Sequence, residues 1–299
     1  MFTYSNTAID SAVRIFLIGL KDPKGTALRN YAKVQGRFLD MDVVNALLTA
    51  SNCPEAVMIR SAKDWVAIGN PVLSWMDRRN IWMELPGGFP YRIFKEKVTP
   101  EETFGVTYSY IQMFPNSVCR YPDIPTETYR MQVIASALLE VIGRRSPLDR
   151  DHHLDRFLSE NNRPLLALFE PEEQYIRYRD HVPRADANLF LECLLHEFFV
   201  YILAGMDEKK DPERFVRSKY TYTAGLITLI CMSALHLATE PEKIHVVQNL
   251  PEGDSEILRY LVRCRELAKE LIDEVMWTYY RKMDEGVPVV SYRIKEAEN

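Results

Sequence analysis

Two long apolar segments, Ala187–Met206 and Tyr220–Ala238, most constrain what this chain can fold into. The second contains no charged residue over 19 positions, which is the usual length for a helix that crosses a membrane. However, the first contains Glu192, His196 and Glu197, which are costly in hydrocarbon, and neither segment has a strong aromatic belt or polybasic flank. A helix that is apolar all round is also typical of the centre of a helical bundle. We therefore predict two core helices and no membrane partner.

Helical spacing of apolar residues extends the helical prediction over most of the chain. In the first quarter we predict helices at Ala8–Leu20, Ala27–Val34, Met41–Ala50 and Pro54–Ala62. Further on we predict a helix from Thr126 to about Gly143, short helices at His153–Glu160 and Glu172–Arg179, and a long final helix at Ser255–Lys282. The final helix has an apolar face close to a heptad repeat, formed by Ile257, Leu261, Cys264, Ala268, Leu271, Val275 and Tyr279.

The segment from Asn70 to Pro125 differs in character, because it is rich in proline and aromatic residues. Within it, apolar and small residues alternate along Phe104–Met113, and Tyr91–Val98 is a second candidate strand. The predicted fold is therefore mainly α: a helical bundle with a small antiparallel β insertion at roughly residues 85–115. Val287–Ile294 is a candidate closing strand. We place a possible domain boundary after Gly143, with residues 1–143 before it and 144–299 after it, although a single domain is also compatible with the pattern.

Charge and cysteine content bear on partners and location. The net charge is −5, which disfavours a protein that neutralises nucleic-acid phosphates over its whole surface. Five dispersed cysteines without a CxxC pair, and an N-terminus unlike a signal peptide, favour a reducing, cytoplasmic location. The sequence contains no GxxxxGK[ST], GxGxxG, GxSxG or HExxH motif, and we predict no cofactor.

Two groups of residues are candidates for chemistry. Glu192 and His196 lie four apart on one face of an apolar helix, as metal ligands or an acid/base pair would, although a buried structural pair has the same spacing. A denser group of possible metal ligands includes Asp151, His152, His153 and Asp155. The alternative for this second group is a solvated helix start, where carboxylates complement the helix dipole.

A third group is basic. Arg177, Arg179 and Arg184 are interleaved with Tyr175 and Tyr178, so that they could contact phosphates and stack bases. Acidic neighbours dilute this charge, and a mixed-charge surface is the alternative.

Aromatic side chains in an irregular, proline-rich segment are typical of protein interfaces. The candidate contacts are Phe89, Tyr91, Phe94, Tyr108 and Tyr110. We therefore predict a non-catalytic interaction or assembly component of a larger intracellular complex, whose partners are other protein subunits or further copies of itself. The alternatives are a helical metal-dependent hydrolase and a nucleic-acid-binding component that uses the arginine and tyrosine residues.

Overall fold

The computed structural model describes residues 14, 16–56, 59–60, 67, 81–85, 109–115, 128–151, 153–154, 165–183, 187–206, 215–237, 250–285 and 293–295. The helices are α1 (Thr26–Arg37), α2 (Val43–Asn52), α3 (Thr128–Arg145), α4 (Ala187–Met206), α5 (Ser218–Ala234) and α6 (Asp254–Glu285). The strands are β1 (Ile59–Arg60), β2 (Ile81–Leu85), β3 (Ser109–Pro115), β4 (Leu148–Arg150), β5 (Ala167–Glu170), β6 (Tyr175–Tyr178), β7 (His181–Pro183) and β8 (Arg293–Lys295). Helices dominate, and the prediction of a mainly α fold with a small β insertion is confirmed.

The β insertion is built on an antiparallel pair. Strand β2 pairs with β3 from Ile81 opposite Met113 to Leu85 opposite Ser109, and β1 pairs with the end of β3. The predicted strand Phe104–Met113 overlaps β3, whereas the predicted strand Tyr91–Val98 lies outside the described residues. The helix predicted at Pro54–Ala62 is wrong, because Ile59–Arg60 forms strand β1 instead.

A second sheet was not expected from the sequence. Strands β5 and β6 form an antiparallel hairpin, and β4 pairs in parallel with the other edge of β6. The helix predicted at Glu172–Arg179 is therefore wrong. Gln174 turns the chain with a φ of 58°, and Ile176 and Tyr178 are buried in alternation with half-buried neighbours. The region predicted as a helix at His153–Glu160 lies largely outside the described residues.

Helices α4 and α5 pack against each other, and α4 also packs against β5. Their bounds are close to those predicted, and every residue of α5 from Ala224 to Met232 is buried. Within the described residues, one helix, Ala187–Met206, has the length and composition that a membrane span requires, and half of its most apolar stretch is buried. The burial in α5 agrees with the interpretation of a core helix.

Helix α6 is 32 residues long and extends slightly beyond the predicted Ser255–Lys282. The whole predicted apolar face of this helix, from Ile257 to Tyr279, is buried. The heptad-like spacing therefore predicted correctly which face of α6 is buried.

The chain divides into two compact units. One comprises Met1–Ile124 with Leu250–Val262, and the other comprises Pro125–Asn249 with Arg263–Asn299. The first unit contains the β insertion, and the second contains the sheet of β4, β5 and β6 together with α3, α4 and α5. In the second unit β7 pairs in parallel with β8, near the predicted closing strand. The domain boundary predicted after Gly143 stays a prediction.

Candidate functional site

A buried carboxylate on α4, that of Glu197, is the centre of a polar cluster in the second unit. Arg217, just before α5, donates from Nη1 to both carboxylate oxygens, at 2.9 and 2.8 Å. The backbone N–H of Phe169 in β5 donates to Oε2 at 2.8 Å, and Arg217 Nη2 donates to the Phe169 carbonyl at 3.0 Å. One carboxylate and one guanidinium thus connect β5, α4 and the start of α5.

The electrostatics of this cluster favour the ionised carboxylate. Burial acts to raise the pKa of Glu197, but the hydrogen bond and charge of His196, the charge of Arg217 and the Phe169 N–H outweigh it and hold that pKa below its ordinary value. Glu197 is therefore a charged, fully partnered group in the interior.

His196 is held on both sides of its ring. Its Nδ1 lies 3.0 Å from Glu197 Oε1, and its Nε2 lies 3.3 Å from the backbone oxygen of Thr221. A protonated imidazole would donate to both oxygens, so this geometry suits a link between α4 and α5. Glu192, one turn earlier on α4, is also buried. Catalytic roles for Glu192 and His196 stay predictions.

Phe169, whose backbone binds both charged groups, also belongs to a cluster of aromatic rings. The ring of Phe169 makes edge contacts with Tyr201 at 5.4 Å and with Phe215 at 5.6 Å, measured between centroids. Phe215 in turn stacks on Tyr220 at 5.7 Å. Glu197 is thus buried in this region, while the Arg217 side chain stays 35% exposed. The sequence prediction missed Glu197 and Arg217 as partners, because 20 residues separate them in the chain.

The predicted metal site is only partly within the described residues. Asp151 Oδ1 accepts the backbone N–H of His153 at 2.8 Å, a local turn contact, and its Oδ2 lies 3.8 Å from Arg177 Nη1. His152 and Asp155 lie outside the described residues. Over the described ranges, no group of three or more His, Cys, Asp or Glu side chains could hold a metal ion. A metal role for these residues stays a prediction.

In the predicted nucleic-acid patch, Arg177 has several partners. Its Nη2 donates to the Tyr175 hydroxyl at 3.0 Å, and the same nitrogen lies 3.6 Å from Glu170 Oε1. The hydrogen bond to Tyr175 raises the pKa of Arg177 against the opposing effect of burial, and the charges of Glu170 and Asp151 raise it further. A phosphate would have to compete with these groups for the guanidinium.

The other two arginines of this patch give less information. The backbone N–H of Arg179 donates to the Leu166 carbonyl at 2.9 Å, and Arg184 lies outside the described residues. Phosphate binding by this patch stays a prediction.

Most of the aromatic residues predicted to form an interface also lie outside the described part of the chain. These are Phe89, Tyr91, Phe94 and Tyr108. Tyr110 belongs to β3, directly opposite Glu84 of β2. Their role as an interface stays a prediction.

The cysteines of the described residues are thiols outside any disulfide, at Cys53, Cys193, Cys231 and Cys264. Burial raises the pKa of the Cys231 thiol, so this sulfur stays protonated in the core. The cytoplasmic location stays a prediction.

An exposed aromatic pair lies on α6. Trp277 is 63% exposed and Tyr280 is 59% exposed, and their spacing of three residues places both on one face of the helix. The Tyr280 ring contacts that of buried Tyr279 at 5.3 Å, and the Arg281 guanidinium lies over the Trp277 ring at 5.6 Å. The sequence prediction missed this pair, although both positions fall outside the heptad stripe that predicted the buried face of α6.

Comparison with known proteins gives little beyond this geometry. No protein-family model matches the chain, and no curated protein matches it in sequence. The Mn(II)-bound crystal structure of the antirestriction ArdC protein from the R388 plasmid is 11% identical, with a TM-score of 0.37, and the match covers 96% of this chain and 100% of ArdC. The metal-free ArdC structure is 12% identical, with a TM-score of 0.33, and the match covers 84% of this chain and 85% of ArdC. Likeness of this degree establishes neither a shared fold nor a shared activity.

Proposed function

We propose that this chain is a non-catalytic interaction component of a larger protein assembly, and that Trp277 and Tyr280 of α6 form part of its binding surface. The observation that carries this proposal is the exposure of the two rings on one helix face, while the opposite face of α6 is buried. Trp, Tyr and Arg are the residue types that most often dominate binding energy at protein interfaces, and Arg281 lies beside this pair.

The energetics support this assignment. An indole ring left largely in water forgoes the stabilisation of burial, on the order of 2 kcal/mol for a large apolar side chain. A partner that covers both rings recovers that stabilisation, and the rigid side chains lose little conformational entropy on binding.

The test is the size of the particle that contains the endogenous chain. We expect this chain, tagged in its source cell, to sediment well above its own 34.8 kDa. The double variant Trp277→Ser/Tyr280→Ser should shift it toward the monomer without lowering its thermal stability. Arg259→Ser/Arg263→Ser, a pair of exposed positions on the same helix, is the matched control and should leave the particle intact. Sedimentation as a monomer before any substitution would refute the proposal.

A further inference from the structure

The outer edge of β5 is the place where the Glu197 cluster meets the sheet. Among the described strands the order is β4, β6, β5, so that β5 lies at one edge of this sheet. A strand edge presents N–H and C=O groups to which a strand of another chain can add. Whatever occupies those groups in β5 therefore decides whether this sheet can grow.

The pairing of β5 with β6 shows which backbone groups point outward. The N–H of Arg179 donates to the Leu166 carbonyl at 2.9 Å, so this pair at the start of the hairpin is hydrogen-bonded. Hydrogen-bonded and non-hydrogen-bonded pairs alternate along an antiparallel ladder. Phe169, three residues after Leu166 and opposite Ile176, is therefore in a non-hydrogen-bonded pair. Its backbone N–H and C=O point away from β6, toward the outer edge.

The other side of β6 agrees with this alternation. The N–H of Ile176 donates to the Pro147 carbonyl, and the carbonyl of Tyr178 accepts from the Asp151 N–H, both at 2.9 Å. These two residues of β6 also belong to non-hydrogen-bonded pairs with β5, and their outward groups bind the backbone at the two ends of β4. On that side, backbone meets backbone.

At the outer edge of β5, side chains take the place of a strand. Glu197 Oε2 accepts the Phe169 N–H at 2.8 Å, and Arg217 Nη2 donates to the Phe169 carbonyl at 3.0 Å. A carboxylate oxygen thus stands where a neighbouring strand would present a carbonyl, and a guanidinium N–H stands where it would present an amide. The two side chains also bind each other at 2.8 Å, so they hold both positions together.

This edge pair (Glu197 and Arg217) is favoured over an incoming strand. Hydrogen bonds to ionised groups are stronger than those between neutral backbone groups. The edge pair also belongs to the same chain as β5, so it loses none of the translational and rotational freedom that an associating strand loses. Arg217 is partly exposed, which places the edge that it covers close to the protein surface.

We propose that the edge pair closes the outer edge of β5 against strand addition by a second copy of this chain. A second copy carries the same strand, and two β5 edges can pair antiparallel about a two-fold axis. The role is distinct from the proposed binding surface on α6, because it keeps copies apart at another element of the chain.

The experiment replaces both members of the edge pair, in Glu197→Met/Arg217→Met. Removing both charges leaves neither one buried and unpaired, and methionine keeps a similar volume, so the fold should be retained. Sedimentation velocity measures particle size over a range of concentrations. Hydrogen exchange, read by mass spectrometry with residue-resolving fragmentation, measures protection of the Phe169 amide in the same samples.

We expect the dilute variant to exchange the Phe169 amide about tenfold faster or more than the natural chain, since the charged acceptor is gone. At higher concentration the variant should form larger particles than the natural chain does, and protection of this amide should return. In the natural chain, protection of the Phe169 amide should be strong at every concentration.

The matched control replaces an ion pair that lies on a helix. Glu256 and Arg259 of α6 are 3.4 Å apart and more exposed than the edge pair. Glu256→Met/Arg259→Met adds the same two apolar side chains and should leave the particle size as it is in the natural chain. Equal association of the two double variants would overturn the inference, as would association without recovered Phe169 protection, or no association at any concentration. Rapid exchange of this amide in the natural chain would also overturn it, and that measurement does not depend on how well a variant folds.

Discussion

Single residues in the second unit show how a buried charge is tolerated. Glu197 is buried on α4, where an isolated carboxylate would be costly. Arg217 and the Phe169 N–H supply the compensating contacts. Because all of these partners depend on one carboxylate, removing its charge leaves Arg217 without its counter-ion.

We therefore expect Glu197→Gln to lower the free energy of unfolding by about 3 kcal/mol, as breaking a buried ion pair commonly does. Denaturant unfolding followed by circular dichroism measures this loss. Glu172→Gln, at an exposed position of the neighbouring turn, is the control and should change stability by less than about 0.5 kcal/mol. Equal stability of the two variants would contradict a stabilising role for the Glu197 cluster.

The lowered pKa of Glu197 also predicts a pH dependence. The folded state binds the Glu197 proton less tightly than the unfolded state does. The contribution of this group to stability is therefore complete above its ordinary pKa of 4.5. It is lost as pH falls from there through the lowered pKa. Unfolding measured across this acidic range should show a shallower loss of stability in Glu197→Gln than in the natural chain. Parallel curves would mean that Glu197 does not contribute to acid denaturation.

Residues in this cluster also mark what a sequence can and cannot predict. His196 stands out as a polar residue in an apolar helix, and the spacing to Glu192 suggested a pair. Its observed neighbours, Glu197 and the Thr221 carbonyl, depend on how α4 and α5 pack. Arg217 joins Glu197 only through that tertiary packing, which no local spacing encodes.

Among the elements, the long helices were the most predictable. The predicted bounds of α4 match the structure, and the apolar face of α6 is buried, because a long periodic pattern averages over local exceptions. The turn after β5 and strand β6 were mistaken for a helix at Glu172–Arg179, since a four-residue strand such as Tyr175–Tyr178 is too short to establish a period of two. Helix α4 packs on β5, and this tertiary contact, which local sequence does not show, buries one face of the hairpin.

The end of α5 provides a test of element geometry. His236 follows the helix with a φ of 54°, and the N–H of Leu237 donates back to the Met232 carbonyl at 2.9 Å, as in a Schellman motif. Glycine adopts this left-handed conformation without the strain that a Cβ introduces. We expect His236→Gly to be more stable than His236→Ala by about 1 kcal/mol. Thermal unfolding of the two variants measures the difference, and a more stable alanine variant would contradict the assigned geometry.

At the scale of the whole molecule, the chain combines an acidic balance with a place where three cations meet one carboxylate beside an exposed aromatic pair. The net charge of −5 predicted the first property but not the second, because formal charge says nothing of where cations gather. Arg144 and Lys282 approach each other only because α3 and α6 meet at Glu140. The sequence prediction of an interaction protein rested on a different aromatic segment, near Tyr110, whose role stays a prediction.

The central claim is that a partner covers Trp277 and Tyr280. Hydroxyl-radical footprinting with mass spectrometry compares their oxidation in the isolated chain and in the endogenous particle. We expect rapid oxidation of both residues in the isolated chain and strong protection in the particle. Ile18, which is 63% exposed in the other unit, serves as the reference for general accessibility. Oxidation of Trp277 and Tyr280 at the same rate in both samples would contradict the account.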